Sequence, residues 1–281
     1  MKGLQDKVAI VTGGGQGIGR ALSLRLAAEG CKVAIFDLST AAGEETAKLA
    51  GEGATVRTWQ LDVSDLPAVE AAVEAVEAEL GPVWLLVNNA GWDRPAPFLK
   101  TTPDFWDKVI AINLKGNLNT HFAVAGRMAA RGGGRIVNCS SVLGIVGAEW
   151  RGAYVATKFA MEGLSDVLRL EMRGTGVEVI LIEPGPIGTK IRVNAQAHFE
   201  RWIDWKSSAR SNDYARFRAR LYDTSGKKDR FELPCSAVTK ALIHAVESRR
   251  PKARYYVTLP TYIAGFARRI LPTRALDWLV R

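Results

Sequence analysis

The chain has 281 residues, 47% of them hydrophobic, with 38 Lys and Arg against 29 Asp and Glu and a formal charge of +9. That length buries one large core, and no apolar run is long enough to cross a bilayer. Three scattered cysteines (Cys31, Cys139, Cys235) and only three histidines offer neither metal-ligand spacing nor a disulfide framework, which suits a reducing cytosol.

The first residues, Met1–Lys7, carry no secretory pattern, so a cytoplasmic protein is expected. They lead into the apolar run Val8–Val11 and then a glycine-rich turn, Thr12–Gly19, with Gly13, Gly17 and Gly19 spaced G-x-x-x-G-x-G around Gln16 and Ile18. Such a turn lets backbone approach a pyrophosphate, and the N-terminus of a helix expected over 17–29 adds free N–H groups. The bland reading is a tight strand–helix turn with no ligand. A second apolar run, Val33–Phe36, ends at Asp37, 18 residues past Gly19. A carboxylate there can hold the adenosine ribose hydroxyls and repels a 2′-phosphate. Leu38, Ser39 and Thr40 carry no positive charge, so NAD is expected rather than NADP.

Further strand-like runs are Thr55–Trp59, Val83–Val87, Arg135–Asn138, Val177–Ile182 and Tyr255–Leu259. Most are continuous rather than alternating, as in parallel strands covered on both faces. Helical periodicity spans 67–80, 103–131, 153–173 and 234–248. The alternation predicts an α/β fold: one doubly wound parallel sheet with helices on both faces and right-handed crossovers.

Residues 190–232 are polar, basic and aromatic, with Phe199, Trp202, Trp205, Tyr214, Phe217 and Tyr222, and read as a substrate lid. Residues 260–281 form a basic amphipathic C-terminal extension interrupted by Pro272. It would dock on a membrane surface, or else on the protein's own body or a neighbouring subunit. Residues 190–281 hold 20 Lys and Arg against 8 Asp and Glu. This surplus is either a solvated surface or a site for an anion such as a phosphate-bearing substrate; no motif points to nucleic acid.

The chemistry concentrates in Tyr154 and Lys158, one helical turn apart and so on one face, with Ser141 thirteen residues before the Tyr. A phenol titrates near pH 10, and a neighbouring ammonium favours its ionised form. Tyr154 could then take an alcohol proton as hydride leaves, or return it in reverse. The competing reading of Ser141 is a cap on its own loop, and of Asn113 a buried amide that satisfies backbone groups.

With these residues in this order, the chain resembles the short-chain dehydrogenase/reductase family over residues 4–260. The matching pieces are Thr12–Gly19, Asp62-Val63, Asn88-Asn89-Ala90-Gly91, Asn113, Ser141, Tyr154/Lys158 and Pro184–Thr189. The resemblance implies a Rossmann fold, a nicotinamide cofactor and a homodimer or homotetramer built on the helices around 103–131 and 153–173. It implies that Asp62 and Val63 contact adenine and that Asn89, Ala90 and Gly91 line the cofactor. Pro184 and Gly185 would join the cofactor site, with Ile187 and Thr189 at the nicotinamide carboxamide. Lys158 would hold the nicotinamide ribose, Ser141 the substrate oxygen, and Asn113 a water in a proton relay to Lys158.

Two sub-resemblances differ over substrate. Residues 1–149 resemble NAD-dependent dehydrogenases of alicyclic hydroxyacyl-CoA thioesters. Residues 150–281 resemble hydroxysteroid, retinol and long-chain aldehyde reductases. The lid belongs to the second half, so a hydrophobic alcohol or carbonyl is expected, with an acyl-CoA or a non-catalytic NAD-binding regulator as alternatives.

Overall fold

The computed structural model describes residues 3–189, 196, 199, 206–207, 211–223 and 230–280. Seven parallel strands form one sheet in the order β3-β2-β1-β4-β5-β6-β7. They are β1 (Val8–Thr12), β2 (Lys32–Asp37), β3 (Val56–Gln60), β4 (Val83–Asn88), β5 (Gly134–Cys139), β6 (Val177–Glu183) and β7 (Arg254–Tyr256). β1 is buried throughout, whereas edge strand β3 has no fully buried residue. That contrast is why the central runs read as continuous and the edge did not.

Helices cover both faces: α1 (Gly17–Ala28), α2 (Thr40–Leu49), α3 (Leu66–Leu80), α4 (Pro103–Ile110), α5 (Gly116–Ala130), α6 (Gly152–Glu171), α7 (Ser211–Leu221), α8 (Ser236–Glu247), α9 (Leu259–Ile270) and α10 (Thr273–Leu279). One core joins Leu22, Leu26, Leu242 and Val246 to the sheet; the other joins Val69, Val73, Val124 and Met128 to its opposite face. Side chains cap several helices: Ser39 accepts from Ala42, Asp65 from Ala68 and Thr102 from Phe105. Each cap stabilises its helix by about 1 kcal/mol.

Two local outcomes differ from the sequence expectation, and a third falls on one of its alternatives. The stretch read as one helix over 103–131 contains a π-helical turn, Ala111–Lys115, between α4 and α5. The last strand ends at Tyr256, because Pro260 sits in the first turn of α9 and its fixed φ starts a helix there. The C-terminal extension packs on the protein itself: Ala264, Ala267 and Leu276 bury against Val146. Its outer face leaves Tyr262, Phe266 and Trp278 exposed. Among the described residues no helix is long and apolar enough to cross a membrane. Trp202, Trp205 and Arg281 lie outside the described residues.

The sheet order reverses between β1 and β4. Loops leaving the C-terminal ends of these strands diverge there and open a crevice. The predicted site residues gather around it.

Candidate active site

The glycine turn leaves β1 with Gly13 at φ +64° and Gly17 at φ +57°, conformations that favour glycine. Gly13 N donates to Phe36 O at 2.7 Å, pinning the turn to β2. A Cβ on Gly19 would lie 2.0 Å from Gly13 O, so this glycine permits the turn to fold back over α1. Gln16, the residue before α1, makes no side-chain cap, which leaves the first-turn N–H groups of the helix without that partner.

These elements border a cleft of about 380 Å³. Gly13, Gln16, Gly17, Ile18, Asp37, Leu38, Asp62, Val63, Asn89, Ala90, Gly91 and Thr189 all line it. Asp37 is fixed at its rim: Oδ2 accepts from Gly15 N at 2.9 Å and Oδ1 from Ser39 N at 3.0 Å. Asp62 Oδ1 accepts from Ser64 N at 2.9 Å. The Thr12 hydroxyl accepts from Asn89 N at 3.0 Å and Ala90 N at 2.9 Å, tying the end of β4 to the turn. A nicotinamide dinucleotide fits these residues. The glycine positions leave no Cβ in the way, the N-terminus of α1 borders the cleft and would hold a pyrophosphate, and a carboxylate stands at the rim.

A second cavity, of about 800 Å³, adjoins the first and shares Ile18 and Thr189 with it. Ser141, Tyr154, Pro184, Gly185 and Ile187 line this one. Tyr154 and Lys158 rise from the first two turns of α6, and Ser141 ends the loop after β5. Ser141 Oγ accepts from Leu143 N at 3.1 Å, so it does cap its own turn, and it lies close enough to the Tyr154 phenol to act on it. Ser140 lines the same cavity, and among the described residues its Oγ is buried without a hydrogen-bond partner.

Lys158 is 3% exposed, and its Nζ donates to Cys139 O at 2.8 Å while lying 5.5 Å from the Tyr154 ring centroid. Burial draws its pKa down to about 8. The Tyr154 phenol is pushed upward, first by burial and then by the Asp93 carboxylate; Ser141 and Arg151 pull the other way. The lowered phenol expected from the Tyr–Lys spacing is therefore not what the protein alone produces. Desolvation outweighs the neighbouring cations.

Asn113 sits in the π-helical turn with no exposed surface. Its Oδ1 accepts from Trp92 N at 2.7 Å; its Nδ2 donates to Trp92 O at 2.9 Å and to Thr157 Oγ1 at 3.2 Å. The amide clamps the segment after β4 to α6, the buried-amide role raised by the sequence.

Two features escaped the sequence reading. Asp93 and Arg151, 58 positions apart, form an ion pair on the wall of the second cavity. Trp150 holds φ +64°, stacks on Tyr214 at 5.4 Å and meets Phe217 edge-on at 5.0 Å. No local pattern links Asp93 to Arg151; the dipeptide Trp150-Arg151 just before a helix was the only available signal.

A doubly wound parallel sheet with a glycine turn after β1 and a Ser/Tyr/Lys group at its C-terminal edge defines a dinucleotide-binding α/β protein. A family model described as short chain dehydrogenase matches residues 7–199. D-threitol dehydrogenase of Mycolicibacterium smegmatis is 40% identical over 189 residues, covering 67% of this chain and 73% of that protein. The EphD protein of Mycobacterium tuberculosis is 35% identical over 249 residues, 88% of this chain; the chain spans only 40% of that longer protein. A short-chain dehydrogenase/reductase from Burkholderia phymatum, solved in complex with NAD, superposes with a TM-score of 0.80 at 28% identity, covering 100% of this chain and 98% of that one. An actinorhodin polyketide ketoreductase variant solved with NADPH gives 0.73 at 30% identity, covering 89% and 95%. The chain belongs to the short-chain dehydrogenase/reductase family, oxidoreductases that act on CH–OH donors.

Proposed function

We propose that the chain interconverts an alcohol and its ketone or aldehyde, with Tyr154 as general acid and base and NAD as the preferred cofactor. The observation that carries this reading is the position of Ser141 and Tyr154 in a cavity that shares Ile18 and Thr189 with the dinucleotide cleft. When bound, the nicotinamide takes up or returns the hydride, and its oxidised charge favours the phenolate. Tyr154 removes the alcohol proton in oxidation and donates it in reduction. Ser141 holds the same oxygen through its hydroxyl. Lys158, close to its pKa at neutral pH, exchanges protons behind the phenol. Asn113 positions the backbone at Trp92.

Asp37 supports the NAD preference, because its fixed carboxylate would repel a 2′-phosphate. Val142, Leu143, Phe217 and Leu221 on the cavity wall support a substrate with an apolar body. Residues 190–232, many of which lie outside the described residues, then act as a lid on a single domain, with Trp150 anchoring α7 through Tyr214 and Phe217. Exposed Phe122, Val167 and Leu170 on α5 and α6 supply a face for self-assembly.

The test is cofactor reduction with NAD and NADP in parallel, against secondary alcohols, hydroxysteroids, retinol and hydroxyacyl-CoA thioesters. Turnover with NAD that disappears in Tyr154→Phe, with cofactor binding kept, is the expected result. Substantial residual turnover in that variant, or equal use of NADP, refutes the corresponding part.

A further inference from the structure

The C-terminal extension uses only its inner face to hold the fold. α9 turns Ala264 and Ala267 inward and α10 turns Leu276 inward, all packed with Val146. The other side of α9 carries Leu259, Tyr262, Ile263, Phe266 and Ile270, every one exposed. Their spacing of i, i+3, i+4, i+7 and i+11 sets them in one stripe along the helix. Phe266 is 67% exposed, and Trp278 on α10 is 77% exposed, with Leu279 exposed beside it in the chain. Single apolar side chains in water need no explanation, but an apolar stripe along a whole helix marks an interaction surface.

Charge chooses the occupant. Residues 259–280 hold three arginines, Arg268, Arg269 and Arg274, and one acid, Asp277. All three arginines are exposed. Arg269, seven residues after Tyr262, flanks the stripe. The Arg268 guanidinium lies 5.9 Å from the Phe159 ring of α6, where α9 meets the body of the protein. An apolar stripe with arginines around it is the pattern of a helix lying in the head-group region of an anionic bilayer. The apolar side chains enter the acyl boundary, the guanidiniums meet lipid phosphates, and Tyr and Trp suit the interface. A second copy of this chain fits less well. A two-fold contact sets each patch against its like, so the arginines of one copy approach those of the other.

We propose that the outer face of α9 and α10 docks on the surface of an anionic phospholipid bilayer. Among the described residues no helix is long and apolar enough to cross a membrane, so the contact is peripheral. The patch runs up to the cavity that holds Ser141 and Tyr154: Val280, next to Leu279 and 38% exposed, lines that cavity. A docked chain therefore has this cavity beside the bilayer. The contact needs no hydride transfer, so it stands or falls separately from the function proposed above.

The experiment is co-sedimentation of the full chain with vesicles of phosphatidylcholine alone and of equal parts phosphatidylcholine and phosphatidylglycerol. Binding to the mixed vesicles, weaker on the neutral ones and weakened by added salt, is the expected result. The triple variant Arg268→Gln, Arg269→Gln, Arg274→Gln should lower the partition coefficient roughly hundredfold, about fivefold per arginine. Phe266→Ser and Trp278→Ser should each lower it about tenfold, because each loses the burial of one aromatic side chain. All these side chains are exposed, and circular dichroism with thermal melting checks that each variant is folded. No sedimentation with the mixed vesicles overturns the proposal, as does equal binding to both kinds of vesicle. Undiminished binding by the variants also overturns it, because the lipid contact then lies on another face. Sedimentation velocity without lipid tests the second copy: a smaller assembly in Phe266→Ser or Trp278→Ser makes this face a contact between subunits and refutes membrane docking.

Discussion

Lys158→Met measures what the site costs the fold. The Lys158 side chain is almost wholly buried, and among the described residues its ammonium has one hydrogen bond, to Cys139 O at 2.8 Å. Burial takes its pKa from the ordinary 10.5 to about 8. A fall of that size corresponds to roughly 3 kcal/mol of destabilisation while the group is charged. The sign is set by where each state holds the proton. Below about pH 8 both folded and unfolded chains carry it, and the penalty is complete. Between there and the ordinary Lys range the unfolded chain binds more protons, so stability rises with pH and the penalty disappears. Methionine keeps the length of the stem and removes the charge, but it loses the bond to Cys139 O, which contributes about 1 kcal/mol. Lys158→Met should therefore be about 2 kcal/mol more stable than wild type at neutral pH, by the difference of those two terms. At strongly alkaline pH the order should reverse by about 1 kcal/mol, the hydrogen bond alone. Urea unfolding followed by tryptophan fluorescence at several pH values reads this directly, since other titrations are common to both proteins. The variant should have no turnover. Equal or lower stability at neutral pH, or an advantage that does not shrink as pH rises, refutes the argument.

Gly19→Ala should destabilise by at least about 2 kcal/mol and abolish cofactor binding, because its Cβ would lie 2.0 Å from Gly13 O and 2.5 Å from Asn89 Nδ2. In Gly17→Ala the Cβ meets only the Thr189 side chain, at an ordinary contact distance of 3.8 Å, and the variant pays for its φ of +57°, about 1–2 kcal/mol, so denaturation midpoints should rank the two variants in that order. Arg254→Met removes the cation that joins Asp166 at 3.0 and 2.9 Å and Glu162 at 3.1 Å, beside Glu183, which burial has already pushed up to about 9. It should cost about 3 kcal/mol at mildly alkaline pH and less in acid, where the carboxyls hold protons; a deficit independent of pH would contradict this. Alcohol oxidation should rise with pH while carbonyl reduction stays nearly flat, because burial holds the Tyr154 phenol above its usual range, so it stays protonated at neutral and mildly alkaline pH and only the scarce phenolate accepts a proton. Parallel profiles in the two directions would count against Tyr154 as the proton-transfer group.

The parts of the fold that sequence made legible are those where one interaction dominates a local stretch. β1, Leu85–Val87 of β4 and Val179–Ile182 of β6 are buried on both faces, and that demand writes itself as uninterrupted apolar runs. α2 was not singled out: its segment TAAGEETAKL offers little apolar periodicity, and the Ser39 cap is its clearest local signal. Tyr154 and Lys158 are legible because one helical turn fixes their relation. The glycine turn is legible because backbone conformation restricts the residue type. Asp93 and Arg151 are not, since the loop after β4 and the start of α6 meet only when β4 and β5 pair and α6 crosses the sheet. The direction of the Tyr154 shift was likewise out of reach. Spacing shows which charge is near, but not how much water has been removed.

Trp150 explains how that long-range geometry is held. A non-glycine residue at φ +64° carries strain of about 1–2 kcal/mol, and here it lies directly before Arg151 and the helix that bears Tyr154. Its carbonyl accepts from Ala96 N at 2.8 Å, which ties the start of α6 to the segment after Asp93. Its ring is gripped by Tyr214 and Phe217 of α7, and such aromatic pairs contribute about 0.5–1.5 kcal/mol each beyond their burial. The two contacts offset the strain. The backbone turn that aims Arg151 at Asp93 is therefore stable while α7 is in place and less favourable without it. The same tryptophan thus joins α7 to the backbone turn that carries Arg151.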